Sequence, residues 1–149
     1  MAGKGKYYES QFEEATIELL RESHWQYTFG DDIHRKYTDP LIEEDLRTFL
    51  AAQYKNKELT ASEMDGIVAN LRNTSGQNDY YALQNTFLLY RDGYDFTYSD
   101  GRDNPFRLQY IDFEHPDHNI FRCVNQFVME QGRENRRPDI LLFVNGIPV

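Results

Sequence analysis

Apolar positions recur at the spacing of one helix face along the first half of the chain, whereas in the second half they alternate between turn residues. Ser10-Gln11-Phe12-Glu13 has the form of a capping box, and Phe12, Ala15, Thr16, Leu19 and Leu20 follow at helical spacing, predicting a helix over about 10–22. Asp39-Pro40 supplies a cap and a first-turn proline for a second helix over about 40–55, with Leu41, Ile42, Leu46, Phe49, Leu50 and Tyr54 as its apolar stripe. Thr60-Ala61-Ser62-Glu63 is another capping box and leads into Met64, Ile67, Val68 and Leu71 as a short third helix. A fourth is predicted from Asp79 to Tyr90, closed by Gly93.

From Tyr94 the period changes. Tyr94, Phe96 and Tyr98 alternate, Ser99 to Asn104 form a turn-rich loop, and Phe106 to Phe113 and Ile120 to Met129 predict two further strands. A polar loop over Gln131 to Arg137 precedes a final strand that begins near Asp139. Asn145-Gly146 is a two-residue hairpin signal, so Ile147-Pro148-Val149 begins an antiparallel return strand. The expected class is α/β (α+β), helices first and then a mixed, mostly antiparallel sheet. No internal repeat, low-complexity tract or linker interrupts it, and residues 1–149 are expected to form a single domain.

Eleven Tyr, ten Phe and one Trp among 149 residues can fill a sizeable core. The net charge of −9 argues against holding nucleic acid by bulk electrostatics, so any DNA contact must be local. The one dense basic cluster is Arg133, Arg136 and Arg137, placed either to contact phosphates or as a solvated loop. A single cysteine, Cys123, excludes an internal disulfide and reads as a small buried apolar residue. His24, His34, His115 and His118 show no zinc-finger spacing, and no structural zinc is expected. No apolar run approaches about 18 residues and the first residues lack the apolar core of a signal peptide, so the cytoplasm is the expected location. A carboxylate at the head of an apolar strand is costly to desolvate without a cation or hydrogen-bond donors, which makes Asp139 a candidate metal ligand.

Several motifs in order carry a resemblance. They are Glu9-Ser10-Gln11-Phe12-Glu13, Trp25 with Tyr27, Ile111-Asp112-Phe113 with Pro116 and Asn119, Val124-Asn125-Gln126-Phe127, and Arg137-Pro138-Asp139 followed by Phe143-Val144-Asn145-Gly146-Ile147-Pro148. Over almost its whole length the chain resembles the amino-terminal domain of the type I restriction enzyme R subunit. It departs from that pattern at His115, where the family commonly has Asn before the proline, and at His24, where it commonly has glycine ahead of the tryptophan.

The resemblance implies a PD-(D/E)xK nuclease fold on a large subunit that also carries an ATP-driven DNA translocase. Such a subunit works with modification and specificity subunits and cuts unmethylated double-stranded DNA with Mg²⁺. In that fold a first-helix glutamate, here Glu13, and the aspartate of the Pro-Asp pair, here Asp139, gather at the metal with a Glu-x-Lys on the strand after the Asn-Gly turn. The sequence reaches Val149 before such a motif, so the 149 residues alone are expected to be inactive, with the fold cut before its last core strand and helix and with Ile140 to Val144 exposing a sheet edge. ATP binding is expected outside these residues, which carry no glycine-rich phosphate loop.

The residues leave alternatives open. Glu13 is either a metal ligand or only the third-position partner of the Ser10 cap. Asp139 is either a ligand or a strand-entry residue paired with Arg136 or Arg137. Asp112 is either a carboxylate supporting the site or a strand-end residue facing solvent. Asn125 and Gln126 place one amide on each strand face. The alternative function, from a different class, is a non-catalytic module that docks the motor subunit to its partners through the helical first half.

Overall fold

A computed structural model describes residues 2–35, 40–75, 80–127, 129–131, 134–136 and 140–149, with side chains over 11–35, 40–74, 84–127 and 140–149. The chain divides into two compact units, Met1–Ile42 together with Ile120–Val149, and Glu43–Asn119.

The first unit is built on a four-stranded sheet. Helix α1 (Ala2–Glu22) leads into β1 (Gln26–Phe29), and after the second unit come β4 (Phe121–Asn125), β5 (Met129–Gln131), β6 (Glu134–Arg136), β7 (Ile140–Val144) and β8 (Ile147–Pro148). The sheet order is β1-β4-β7-β8, with β5 and β6 paired apart as a two-stranded ribbon. β1 runs parallel to β4, and the β4–β7 and β7–β8 pairs are antiparallel. β8 covers Phe143 and Val144, so that end of β7 is interior, contrary to the edge expected from sequence over Ile140 to Val144. The reason is the turn: Asn145 and Gly146 both adopt positive φ (53° and 77°), the geometry of a tight hairpin, and fold Ile147-Pro148 back onto Val144 and Phe143. The Asn145 side-chain oxygen accepts the Ile120 N–H at 2.7 Å, and the Asn145 backbone N–H donates to the Ile120 carbonyl at 2.8 Å, tying this turn to the start of β4. Val124, Phe127, Phe143 and Ile42 form the buried cluster on one sheet face, with Ile33 and Leu141 against it.

Two expectations in this unit change. Helix α1 begins at Ala2, so Ser10 sits inside the helix and no capping box forms around Glu13. No proline precedes Ser10, and Ala2, Lys4, Lys6 and Glu9 are good helix formers, so the helix extends backwards despite Gly3 and Gly5. The buried face of α1 is also different. Ile17 is buried and Leu20 half-buried, whereas Phe12 and Leu19 from the predicted apolar stripe are 74% and 64% exposed. The strand predicted over Ile120 to Met129 ends at Asn125, because Gln126 takes a positive φ of 53° and breaks the ladder. The polar loop expected over Gln131 to Arg137 contains the last residue of β5 and all of β6, which pair as a ribbon.

α1 ends on His24 with φ 69°, a left-handed conformation. The Trp25 N–H reaches back to the Leu20 carbonyl at 2.9 Å and the His24 N–H to Arg21 at 3.1 Å, the bonding of a Schellman close. This explains the glycine that the resembled family places at that point, since left-handed backbone is least costly without a Cβ.

In the second unit α2 (Glu43–Gln53), α3 (Ala61–Ser75) and α4 (Tyr80–Asp92) precede the short antiparallel pair β2 (Tyr94–Phe96) and β3 (Phe106–Leu108). The Thr60–Glu63 capping box is present in both directions: Thr60 N–H donates to Glu63 Oε1 at 3.0 Å and Glu63 N–H to Thr60 Oγ1 at 3.1 Å. Glu63 is buried and also meets Arg102 at 2.5 Å; that guanidinium holds its carboxyl at about 2, below the ordinary 4.5. Leu46, Leu50, Ile67, Leu71, Leu108 and Tyr110 are buried here, and the Tyr110 hydroxyl donates to the Ile67 carbonyl at 2.7 Å. The strand predicted to Phe113 stops at Leu108, since the backbone N–H and C=O of Gln109 are bonded to the Tyr54 hydroxyl and those of Asp112 to the Asn119 side chain instead of to a strand partner.

The expected class, α/β with helices leading and strands following, is found. Its one exception in order is β1, which sequence periodicity missed because four residues are too few to show alternation. The proposed cap Asp39 and helix start Asp79 lie outside the described residues.

Candidate functional site

Glu13 lies on α1 and is half-buried over the sheet face that carries Tyr27 and Asn125. The β1–β4 register pairs Tyr27 with Cys123 and Phe29 with Asn125, so Tyr27, Cys123, Phe29 and Asn125 project to one face. Asn125 Nδ2 donates to Glu13 Oε1 at 3.0 Å, and the Tyr27 hydroxyl donates to Asn125 Oδ1 at 2.8 Å. The amide orientation is fixed by this chain: an ionised carboxylate only accepts, so the NH₂ must face Glu13 and the carbonyl must face the phenol. Burial pushes the Tyr27 phenol above its ordinary value, so it stays a donor. Cys123, beside it, is fully buried and its thiol is likewise raised by burial.

A carboxylate has about four lone-pair positions, and one amide bond leaves room for a cation. Asn125 also pairs with Ile140 across β4 and β7. Ile140 is the residue after Asp139. Asp139 itself, with Arg133 and Arg137, lies outside the described residues, and Arg136 is described only as the end of β6, paired with Met129. Of the two carboxylates proposed from sequence, only Glu13 is among the described residues. Tyr27, which bonds the amide that holds Glu13, was not singled out from sequence beyond its place in a Trp-x-Tyr string.

The backbone approaches closely at the same end of β1. A Cβ on Gly30 would stand 2.3 Å from the Gln126 carbonyl oxygen and 2.7 Å from that of Asn125. Only glycine lets the chain pass there.

In the second unit Asp112 is buried and hydrogen-bonded on both oxygens, rather than facing solvent. Oδ1 accepts from the Glu114 and His115 N–H groups at 3.0 and 2.9 Å, and Oδ2 meets Gln53 Nε2 at 2.8 Å and His118 Nδ1 at 3.0 Å. The His115 N–H foremost holds its carboxyl at about 2. His115 Nδ1 lies 3.8 Å from Oδ2.

The motifs read from the sequence agree with the comparisons. The family model for the type I restriction enzyme R protein N terminus matches residues 6–149. The chain belongs to that family. Among curated relatives, the type I restriction enzyme HindI endonuclease subunit of Haemophilus influenzae is 28% identical over 95% of this chain and 14% of its own length. A protein of Methanocaldococcus jannaschii named as the inferred endonuclease subunit of type I enzyme MjaIXP is 29% identical over 92% of this chain and 14% of its own. This R-protein N terminus therefore spans about a seventh of the length of the relatives it matches. No solved structure matches it. Among the described residues, no helix of the R-protein N terminus is long and apolar enough to cross a membrane.

Proposed function

We propose that these residues belong to the endonuclease domain of a type I restriction R subunit, of PD-(D/E)xK type. The parent protein hydrolyses phosphodiester bonds of unmodified double-stranded DNA in the cytoplasm, together with modification and specificity subunits. ATP-driven translocation resides in the rest of that subunit, and the 149 residues by themselves do not cut.

The observation that supports this reading is the Glu13 carboxylate, held by Asn125 at the strand position that pairs with the residue after Asp139. Glu13 and Asp139 offer the hard oxygen donors that Mg²⁺ requires. When bound, the ion lowers the pKa of a water and offsets charge on the scissile phosphate. Asn125 orients Glu13, Tyr27 orients Asn125, and Arg133, Arg136 and Arg137 are the residues assigned to phosphate contacts.

The test is DNA cleavage by the assembled enzyme carrying Glu13→Ala or Asp139→Ala, with ATP hydrolysis measured beside it. Loss of cleavage with ATP hydrolysis retained supports the reading. Normal cleavage in both variants overturns it. The exposed Phe12 and Leu19 on α1 favour a second reading, a docking module for partner subunits. Under that reading Phe12→Ser with Leu19→Ser abolishes assembly while the two alanine variants cut normally.

A further inference from the structure

The sequence Asp112-x-x-His115-x-x-His118 repeats every three residues, and from His115 onwards the backbone has the matching period. Pro116–His118 is a turn of 3₁₀ helix, with the His118 N–H bonded to the His115 carbonyl at 3.0 Å and the Asn119 N–H to that of Pro116 at 3.2 Å. Three residues per turn brings side chains at i and i+3 into register. The two imidazoles are accordingly stacked, 5.0 Å between centroids and 19° apart in plane.

We propose that Asp112, His115 and His118 bind a divalent transition-metal ion of the zinc class, at residues other than those of the nuclease site. One ligand atom from each lies within 4.8 Å of the others. Donors about 2.1 Å from a tetrahedral zinc stand roughly 3.4 Å apart. The Asp112 Oδ2 to histidine Nδ1 separations, 3.0 and 3.8 Å, bracket that value. The histidine side chains are 49% and 62% exposed, so each ring can turn to close the remaining gap and the ion has an open path in. Asp112, by contrast, is 6% exposed and cannot wander.

The surroundings are those of a held ligand. Gln53 supports Oδ2 and two backbone N–H groups support Oδ1, the outer hydrogen bonds that orient ligating carboxylates. Asn119 clamps the loop from the other end. Its Oδ1 accepts the Asp112 N–H at 2.9 Å and its Nδ2 donates to the Asp112 carbonyl at 2.8 Å. The loop therefore holds its shape before any ion arrives. On binding, the ion takes the place of the hydrogen between Oδ2 and His118 Nδ1, and that imidazole carries its hydrogen on Nε2. Two imidazoles and one carboxylate suit Zn²⁺, Ni²⁺ or Cu²⁺, whereas Mg²⁺ prefers an all-oxygen shell. The four-ligand spacing of zinc fingers is absent from the sequence because water fills the open positions of a three-ligand site.

Calorimetric titration of the metal-stripped protein with ZnCl₂ tests the site, with MgCl₂ as the comparison. One Zn²⁺ per chain is expected. Gln53→Ala lowers affinity roughly 10- to 100-fold, as losing an outer hydrogen bond does, and His115→Ala with His118→Ala lowers it further. His24→Ala with His34→Ala leaves it unchanged, and because the effect is read at Gln53, His115 and His118 the result is separate from the nuclease reading. Absence of zinc binding, equal affinity in the His115 and His118 double variant, or loss in the His24 and His34 control overturns the proposal. Unchanged circular dichroism in the histidine variants excludes unfolding as the cause.

Discussion

Asn125 on β4 donates its amide hydrogen to Glu13 on α1, 112 residues earlier in the chain. The same amide accepts from Tyr27 on the parallel neighbour strand, so the carboxylate on α1 is oriented through β4, far away in sequence, and through β1, the strand that follows α1. The position of Glu13 is thus a property of the β1–β4 pairing.

Replacing Asn125 with Leu removes both bonds and leaves the Glu13 carboxylate without its amide donor. The loss is about 1–2 kcal/mol of unfolding free energy, the usual consequence of stripping a partner from a partly buried polar group. Urea denaturation measures it. If the proposed nuclease reading holds, the same variant in the assembled enzyme cuts DNA more slowly with ATP hydrolysis unaffected.

Gly30→Ala drives a Cβ into two backbone carbonyl oxygens, of Gln126 and Asn125, which cannot rotate away as a flexible side chain would. Overpacking against backbone costs about 3 kcal/mol. A thermal melt reads the change, and a wild-type midpoint would refute the close approach.

His24→Gly acts in the opposite direction. Its φ of 69° is strained for a residue with a Cβ, and glycine relieves that strain at some expense in unfolded-chain entropy. The net gain is about 0.5–1 kcal/mol, seen as a raised denaturation midpoint.

Acid should destabilise the second unit in a defined window. Glu63 has its folded value lowered to about 2 from 4.5, so its contribution is complete above pH 4.5 and is lost as pH falls through about 2. Asp112, also lowered to about 2, contributes in the same direction. Glu63→Gln flattens only the glutamate's share of the decline. Denaturation midpoints recorded from neutral pH downwards check this, and an unaltered slope in the variant refutes the role of the Arg102 pairing.

What the sequence determined by itself was local. The Thr60–Glu63 capping box and the Asn145-Gly146 hairpin depend on side chains bonding backbone within a few residues, and both are present as read. The helical spacing of Leu46, Phe49 and Leu50 gave α2, although its ends moved inward by a few residues. Ordered short motifs also sufficed for the family, since identity at fixed positions survives without knowledge of the fold.

Only the tertiary structure decided which face of α1 is buried, because Phe12 and Ile17 are equally apolar and the neighbouring strand chooses between them. Likewise, Ser10-x-x-Glu13 has the form of a cap, yet the helix runs through it and Glu13 is engaged by Asn125. Asp112, His115 and His118 were visible as residues, but a three-residue period looks like neither helix nor strand. Their convergence came from a 3₁₀ turn, with Gln53 reaching the buried carboxylate from 59 positions away. Hydrogen bonds within a turn are written in neighbouring letters, whereas the bonds that aim these carboxylates join residues brought together by folding.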